Sequence, residues 1–237
     1  MQDTGKNIII AGVGGQGILL FSNLLSKYYM KLGYELKISD VIGLGQRGGG
    51  VESHFRYSTN PVLSPFIKAG DVDYLLSFEQ TETLRYLHCL KEDGIVFSST
   101  FELSTSSVNT RLEKDMTESK TELIKQSGKK TFIIDPEENK SPDFDISKMM
   151  NIVMLAIYAE FRGYKHEEMM QIVRESVPEK FVDGNLKAYE KGIEIAKNYP
   201  KDLAVKRDVR QSARLERDEP NPRRKTMPSP SRSAFLS

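Results

Sequence analysis

The chain has 237 residues, a formal net charge of +1 and a hydrophobic fraction of 38%. This is enough for one α/β domain with a sizeable core, and too evenly charged for a general nucleic-acid binder. A single cysteine, Cys89, excludes an intrachain disulfide and cannot by itself ligate an iron–sulfur cluster.

The opening residues MQDTGKNIII pass from polar residues straight into an apolar run and lack a signal-peptide pattern. No apolar run approaches the ~20 residues of a membrane span, so a soluble cytoplasmic protein is expected. Asn7 to Ala11 reads as a buried parallel strand that stops at glycine. From Gly17 the pattern turns helical, with Ile18, Phe21, Leu25, Tyr28 and Leu32 at three- and four-residue steps until Gly33. Glu35 to Ser39 reads as a second strand, which makes a β–helix–β stretch of crossover size.

Gly43 to Gly50 is too glycine-rich for a helix or central strand. It leads into Val51–Tyr57, where Val51, Ser53, Phe55 and Tyr57 alternate with Glu52, His54 and Arg56, the period of a strand with one polar face. Asn60–Pro61 and Ser64–Pro65 mark turns. Tyr74 to Phe78 is a short strand, Thr81 to Leu90 a helix, Asp93–Gly94 a turn and Ile95–Ser98 another strand. Residues 99–130 are weakly patterned, and Thr131 to Asp135 closes the sheet. Met149 to Phe161 is apolar around its circumference, which predicts a buried helix. Glu167 to Val177 and the face Leu186, Tyr189, Ile193, Ala196 predict two further helices. Residues 201–237 lack apolar periodicity and collect Pro, Ser and Arg, including Arg207, Arg210, Arg214, Arg217, Arg223 and Arg224. They read as a basic, mostly disordered tail to a domain of residues 1–200.

Gly12-Val13-Gly14-Gly15-Gln16-Gly17 has the G-x-G-x-x-G spacing between a strand and a helix. The glycines suit a tight turn, close approach of a ligand or neighbouring chain, and helix–strand packing. The helix N-terminus behind them favours an anion. A dinucleotide site would also need an acid ending the second strand, for which Asp40 is the candidate. Turn and packing geometry alone would account for the same glycines.

The second loop, with Gln46 and Arg47 between glycines, departs from a dehydrogenase, which usually has only the first loop there and enters another crossover helix after the second strand. In a parallel sheet the loops after the first two strands emerge on one edge. Two stretches of near-bare backbone on one rim suit a partner chain or an extended anionic ligand.

In this combination the chain resembles the gamma-type domain of the pyruvate and 2-oxoacid:ferredoxin oxidoreductases. The resemblance rests on Gly12–Gly17, Ser39-Asp40, Gly43–Gly49, Ser53-His54, Asn60–Gly70, Asp73, Phe78-Glu79, Asn151 and Val177–Gly192, and spans most of residues 7 to 197. The small (beta) subunit of two-subunit indolepyruvate enzymes is nearest in length and helical end.

The resemblance implies a Rossmann-like, mostly parallel α/β sheet with a C-terminal helical extension. It also implies a supporting subunit for coenzyme A-dependent oxidative decarboxylation of a 2-oxoacid to an acyl-CoA and carbon dioxide, with reduction of ferredoxin. Thiamine diphosphate, magnesium and iron–sulfur clusters are expected on a large alpha subunit, since this chain has no cysteine-rich segment and no Gly-Asp-Gly…Asn pattern. Gly12, Gly14, Gly15, Gln16, Gly17, Gln46, Arg47, Gly48 and Gly49 are the expected binding residues, and no catalytic residue is read from this chain. His54 reads as an interface or hydrogen-bonded residue, Glu79 as a possible partner of Arg47 or a surface carboxylate, Cys89 as a packed thiol and Asn151 as a structural amide. A stand-alone NAD(P)-binding oxidoreductase and a purely structural interaction module remain as alternatives.

Overall fold

A computed structural model describes residues 5–43, 49–102, 119–140 and 145–199. The expected tail at 201–237, and Gln46, Arg47 and Gly48, lie outside the described residues. Six strands form one sheet: β1 (Gly5–Val13), β2 (Glu35–Ile42), β3 (Gly50–Ser58), β4 (Val72–Ser77), β5 (Leu90–Ser99) and β6 (Lys130–Ile134). Their order is β2-β3-β1-β4-β5-β6. Strands β1, β4, β5 and β6 run parallel, and β3 is antiparallel to both β1 and β2.

The helices are α1 (Ile18–Lys31), α2 (Gln80–Tyr86), α3 (residues 119–126), α4 (Met150–Arg162), α5 (His166–Ser176) and α6 (Val182–Lys197). The larger core joins α1, α4, α5 and α6 to the sheet face that carries Ile8, Ile10, Phe55, Leu76 and Phe97. The smaller core, with Ile9, Ala11, Leu75, Val96 and Ile124, lies on the opposite face. Strand β1 is therefore apolar on both sides, as a central strand must be.

The expected elements are present, with four changes. The β1–α1–β2 stretch is not an adjacent crossover, because β3 is inserted between β1 and β2 and hydrogen-bonds to both. The predicted helix Thr81–Leu90 stops at Tyr86, and Leu87–Cys89 forms a single 3₁₀ turn. Asp93–Gly94 lies inside β5, where the register against β4 shifts between Val72 and Tyr74. The weakly patterned stretch contains α3, which buries Ile124.

Helix α4 buries 11 of its 13 residues. It ends at Gly163, whose positive φ of 68° lets the Gly163 and Tyr164 N–H groups turn back to the carbonyls of Glu160 and Ala159. Helix α6 packs against it at Gly192, where a Cβ would stand 2.5 Å from the Val153 carbonyl and 2.6 Å from the Ala156 methyl.

Candidate ligand-binding rim

Both glycine loops emerge at one end of the sheet. Strand β1 ends at Val13, opposite Gly50 at the start of β3, and β2 ends at Ile42, opposite Val51. The loops touch there: the Gly14 N–H donates to the Gly49 carbonyl at 2.9 Å, and the Gly43 N–H donates to the Gly50 carbonyl at 3.0 Å.

Gln16 is built into this rim. Its Oε1 accepts from the Val13 N–H at 2.8 Å and its Nε2 donates to the Phe78 carbonyl at 2.9 Å, so one amide ties the ends of β1 and β4. The side chain lies where Gly12 leaves room, since a Cβ on Gly12 would be 2.6 Å from Gln16 Oε1. Gly15 has φ +97° and open space where a Cβ would stand, so its backbone faces outward.

Gly17 is the N-cap of α1 with φ 74°. It supplies no side-chain cap, and the first turn of α1 holds no acidic residue. The end of α1 thus presents its positive dipole without a built-in counter-charge, the arrangement that favours an anionic group.

The other side chains picked out in the sequence have structural work. The His54 Nδ1 accepts from the Ile67 N–H at 3.2 Å, and its Nε2 stands 3.6 Å from Glu52 Oε1. Arg56 donates to the Ser64 carbonyl at 2.8 Å and to Asn7 Oδ1 at 3.0 Å. Together they fasten the segment after β3 across the polar face of that strand. Asp73 accepts from Lys6, Lys91 and the Asn7 N–H.

Glu79 is not a surface carboxylate: it is buried, and its Oε2 caps α2 by accepting from the Glu82 N–H at 2.8 Å. Cys89 packs partly against the smaller core, and burial pushes its thiol pKa up. Asn151 is buried beside Gly17. Asp40 is exposed on β2, two strands and about 10 Å from β1. That spacing removes it from the ribose position which a dinucleotide at Gly12–Gly17 would require.

A cleft of about 230 Å³ lies beside the second loop, lined by Val41, Gly43, Gly50, Glu52, Glu82, Arg85 and Tyr86. Glu82 and Arg85 were not singled out in the sequence; their one signal is the three-residue spacing that lets them pair on α2, with Arg85 Nε 3.2 Å from Glu82 Oε2. Burial raises the Glu82 pKa above the ordinary glutamate value, more than Arg85 lowers it. Two carboxylates make this cleft a poor seat for phosphate, so the anion-favouring part of the rim is the end of α1.

The described residues contain no group of three or more His, Cys, Asp and Glu side chains that could hold a metal ion. None of their helices is long and apolar enough to cross a membrane.

Residues 7–195 match the family pattern of the pyruvate ferredoxin/flavodoxin oxidoreductases. The chain is 33% identical over 195 residues to the indolepyruvate oxidoreductase subunit IorB of Thermococcus kodakarensis, a match covering 81% of this chain and 96% of the relative. Its fold resembles the gamma subunit of a keto/oxoacid ferredoxin oxidoreductase from Geobacter sulfurreducens, with a TM-score of 0.58 and 23% identity over 82% of this chain and 99% of the other. It also resembles part of a 2-oxoglutarate:ferredoxin oxidoreductase from Magnetococcus marinus, solved with 2-oxoglutarate, coenzyme A and succinyl-CoA bound, with a TM-score of 0.61 and 16% identity over 84% of this chain and 32% of the other. The two structural likenesses carry the fold alone; the family match, over most of the sheet and most of the helical end, makes this chain a member of the pyruvate ferredoxin/flavodoxin oxidoreductase family.

Proposed function

We propose that this chain is the small subunit of a 2-oxoacid:ferredoxin oxidoreductase of the indolepyruvate type, and that its glycine rim forms one wall of the coenzyme A cleft against a larger, thiamine-binding subunit. The observation that carries the reading is the joining of the two loops at the Gly14–Gly49 hydrogen bond, beside an α1 N-terminus with no acidic residue in its first turn. Outward backbone at Gly15 and exposed Val41 and Ile42 at the end of β2 suit contact with another chain along the same edge. Arg47, in the second loop, would pair with a phosphate in a bidentate manner or bind the partner. The relative in Thermococcus kodakarensis is named for indolepyruvate, which supports that substrate class.

Thiamine diphosphate, its magnesium and the iron–sulfur clusters belong on the partner in this reading, and a cytoplasmic location goes with it. Thiamine diphosphate held by the partner would supply the electron sink that decarboxylation requires. This chain's part is to hold the coenzyme A phosphates at the end of α1, so that the thiol is presented to the partner's centre.

Anaerobic co-purification tests the proposal. The expected result is a brown, thiamine-containing large subunit that reduces ferredoxin when given an aryl pyruvate and coenzyme A. A colourless chain that purifies alone and binds NAD(H) would overturn it. Within the complex, Arg47→Ala should raise the coenzyme A KM or loosen assembly, and no change in either would remove Arg47 from the site.

A further inference from the structure

Strand β2 leaves one edge of the sheet open. It pairs with β3 along its whole length, from Glu35–Ser58 to Ile42–Val51, without a register shift, and stands first in the strand order. Among the described residues its other side has no strand partner. The opposite edge is better covered, since the Tyr199 hydroxyl donates to the Ile133 carbonyl of β6. An edge of eight residues with no proline and no bulge is a template for another strand, because its outward N–H and C=O groups have no ladder to join.

The side chains of β2 point to which strand that is. Glu35 and Lys37 are exposed, lie on one face of the sheet and have no hydrogen-bond or ion-pair partner among the described residues. Lys37 also stands directly opposite Arg56 of β3, a like charge that favours an anion on its free side. On the other face Leu36 and Ile38 are only half-buried, and at the same end Met30, on the last turn of α1, is 62% exposed.

A second copy, related by a two-fold axis perpendicular to the sheet, would run antiparallel beside β2. Opposed side chains share a face, so the axis must pass through a residue. An axis at Glu35, Lys37 or Asp40 sets like charges against each other. Axes at Ile38 and Ser39 set Lys37 against Ser39 and Val41. An axis at Leu36 sets Glu35 of each copy against Lys37 of the other, twice, with Leu36 against Leu36 and Ile38 against Tyr34 on the apolar face.

We infer that this chain self-associates through the edge of β2, with a two-fold axis at Leu36 and reciprocal Glu35–Lys37 pairs. The inference does not rest on the function proposed above. Ile42 is six residues from Leu36, so each glycine rim lies about 20 Å from the axis, at opposite ends of the joined sheet, and both rims stay open to other chains.

Sedimentation of the full chain tests the surface, and disulfide trapping tests the register. Wild type should sediment as a dimer. Glu35→Lys and Lys37→Glu each turn two attractive pairs into two repulsive ones, and each should raise the dimer Kd about tenfold or more. The double variant Glu35→Lys/Lys37→Glu restores opposite charges and should return the Kd to within about threefold of wild type. Asp40→Lys, on the same edge but outside the paired stretch, should leave it unchanged. In a Cys89→Ser background, Leu36→Cys should form an intermolecular disulfide on air oxidation, and Asp40→Cys should not. A monomeric wild type, single reversals without effect, or a double variant as weak as the singles would overturn the inference. So would a disulfide that forms equally well from position 40, or one that joins position 36 to a different protein, which would give the edge to another partner.

Discussion

At the scale of single residues, the rim depends on side chains that serve backbone. Gln16 satisfies the Val13 N–H and the Phe78 carbonyl at once. Gln16→Ala should therefore cost about 1–3 kcal/mol in urea unfolding, from groups left without partners. Gln16→Glu should recover only the Val13 half, because a carboxylate cannot donate to Phe78; equal stability of wild type and Gln16→Glu would contradict this account. The sequence showed Gln16 inside a glycine motif but could not show this bridge, since Phe78 is 62 positions away.

Glu82 offers a pH test. Burial holds its pKa above the ordinary glutamate value, so the folded state prefers the neutral acid. Its contribution to stability is fully present below the unfolded glutamate pKa and is lost as pH rises through the folded one. Glu82→Gln should gain on wild type as pH rises from about 4.3 through that raised value. Thermal melts of both proteins across the range check it, and a constant difference in Tm would contradict the burial argument.

At the scale of elements, the helical end is held by the α4–α6 contact. Gly192 stands against the Val153 carbonyl, part of a helix backbone that cannot easily yield. Gly192→Ala should cost about 1–3 kcal/mol by overpacking, measurable as a lower urea midpoint with unchanged slope. A neutral Gly192→Ala would mean that α6 shifts freely on α4. The existence of α4 was legible because its apolar positions run around the whole helix, and so was the buried face of β3, because Val51, Ser53, Phe55 and Tyr57 alternate. The place of β3 was not legible. An alternating strand can pair on either side of β1, and its antiparallel insertion between β1 and β2 depends on the hairpin that the second glycine loop closes. Helix α3 was missed because its apolar signal rests mainly on Ile124, and a single anchor has no period.

At the scale of the whole molecule, one end of the sheet gathers both glycine loops, the end of α1 and the acidic cleft, while helices cover both faces of the sheet. The inserted β3 converts a dinucleotide-like opening into a different site, because it moves Asp40 about 10 Å from β1. Cutting the chain after Pro200 is expected to leave the melting temperature and the coenzyme A KM unchanged, since the family match ends at residue 195. A lower melting temperature would extend the folded unit beyond that point. By itself the sequence determined most of the elements, the strand–glycine–helix turn, the second loop and, through their combination, the family. These are local: spacing, periodicity and glycine content act over a few residues, and chain order carries them. Only the tertiary structure decided that Gly14 bonds Gly49, that Gln16 reaches Phe78, that Glu79 turns inward as a cap and that Asn151 comes to rest on Gly17. Each of those depends on where distant segments meet once the apolar faces are buried, and that meeting follows from packing the whole chain.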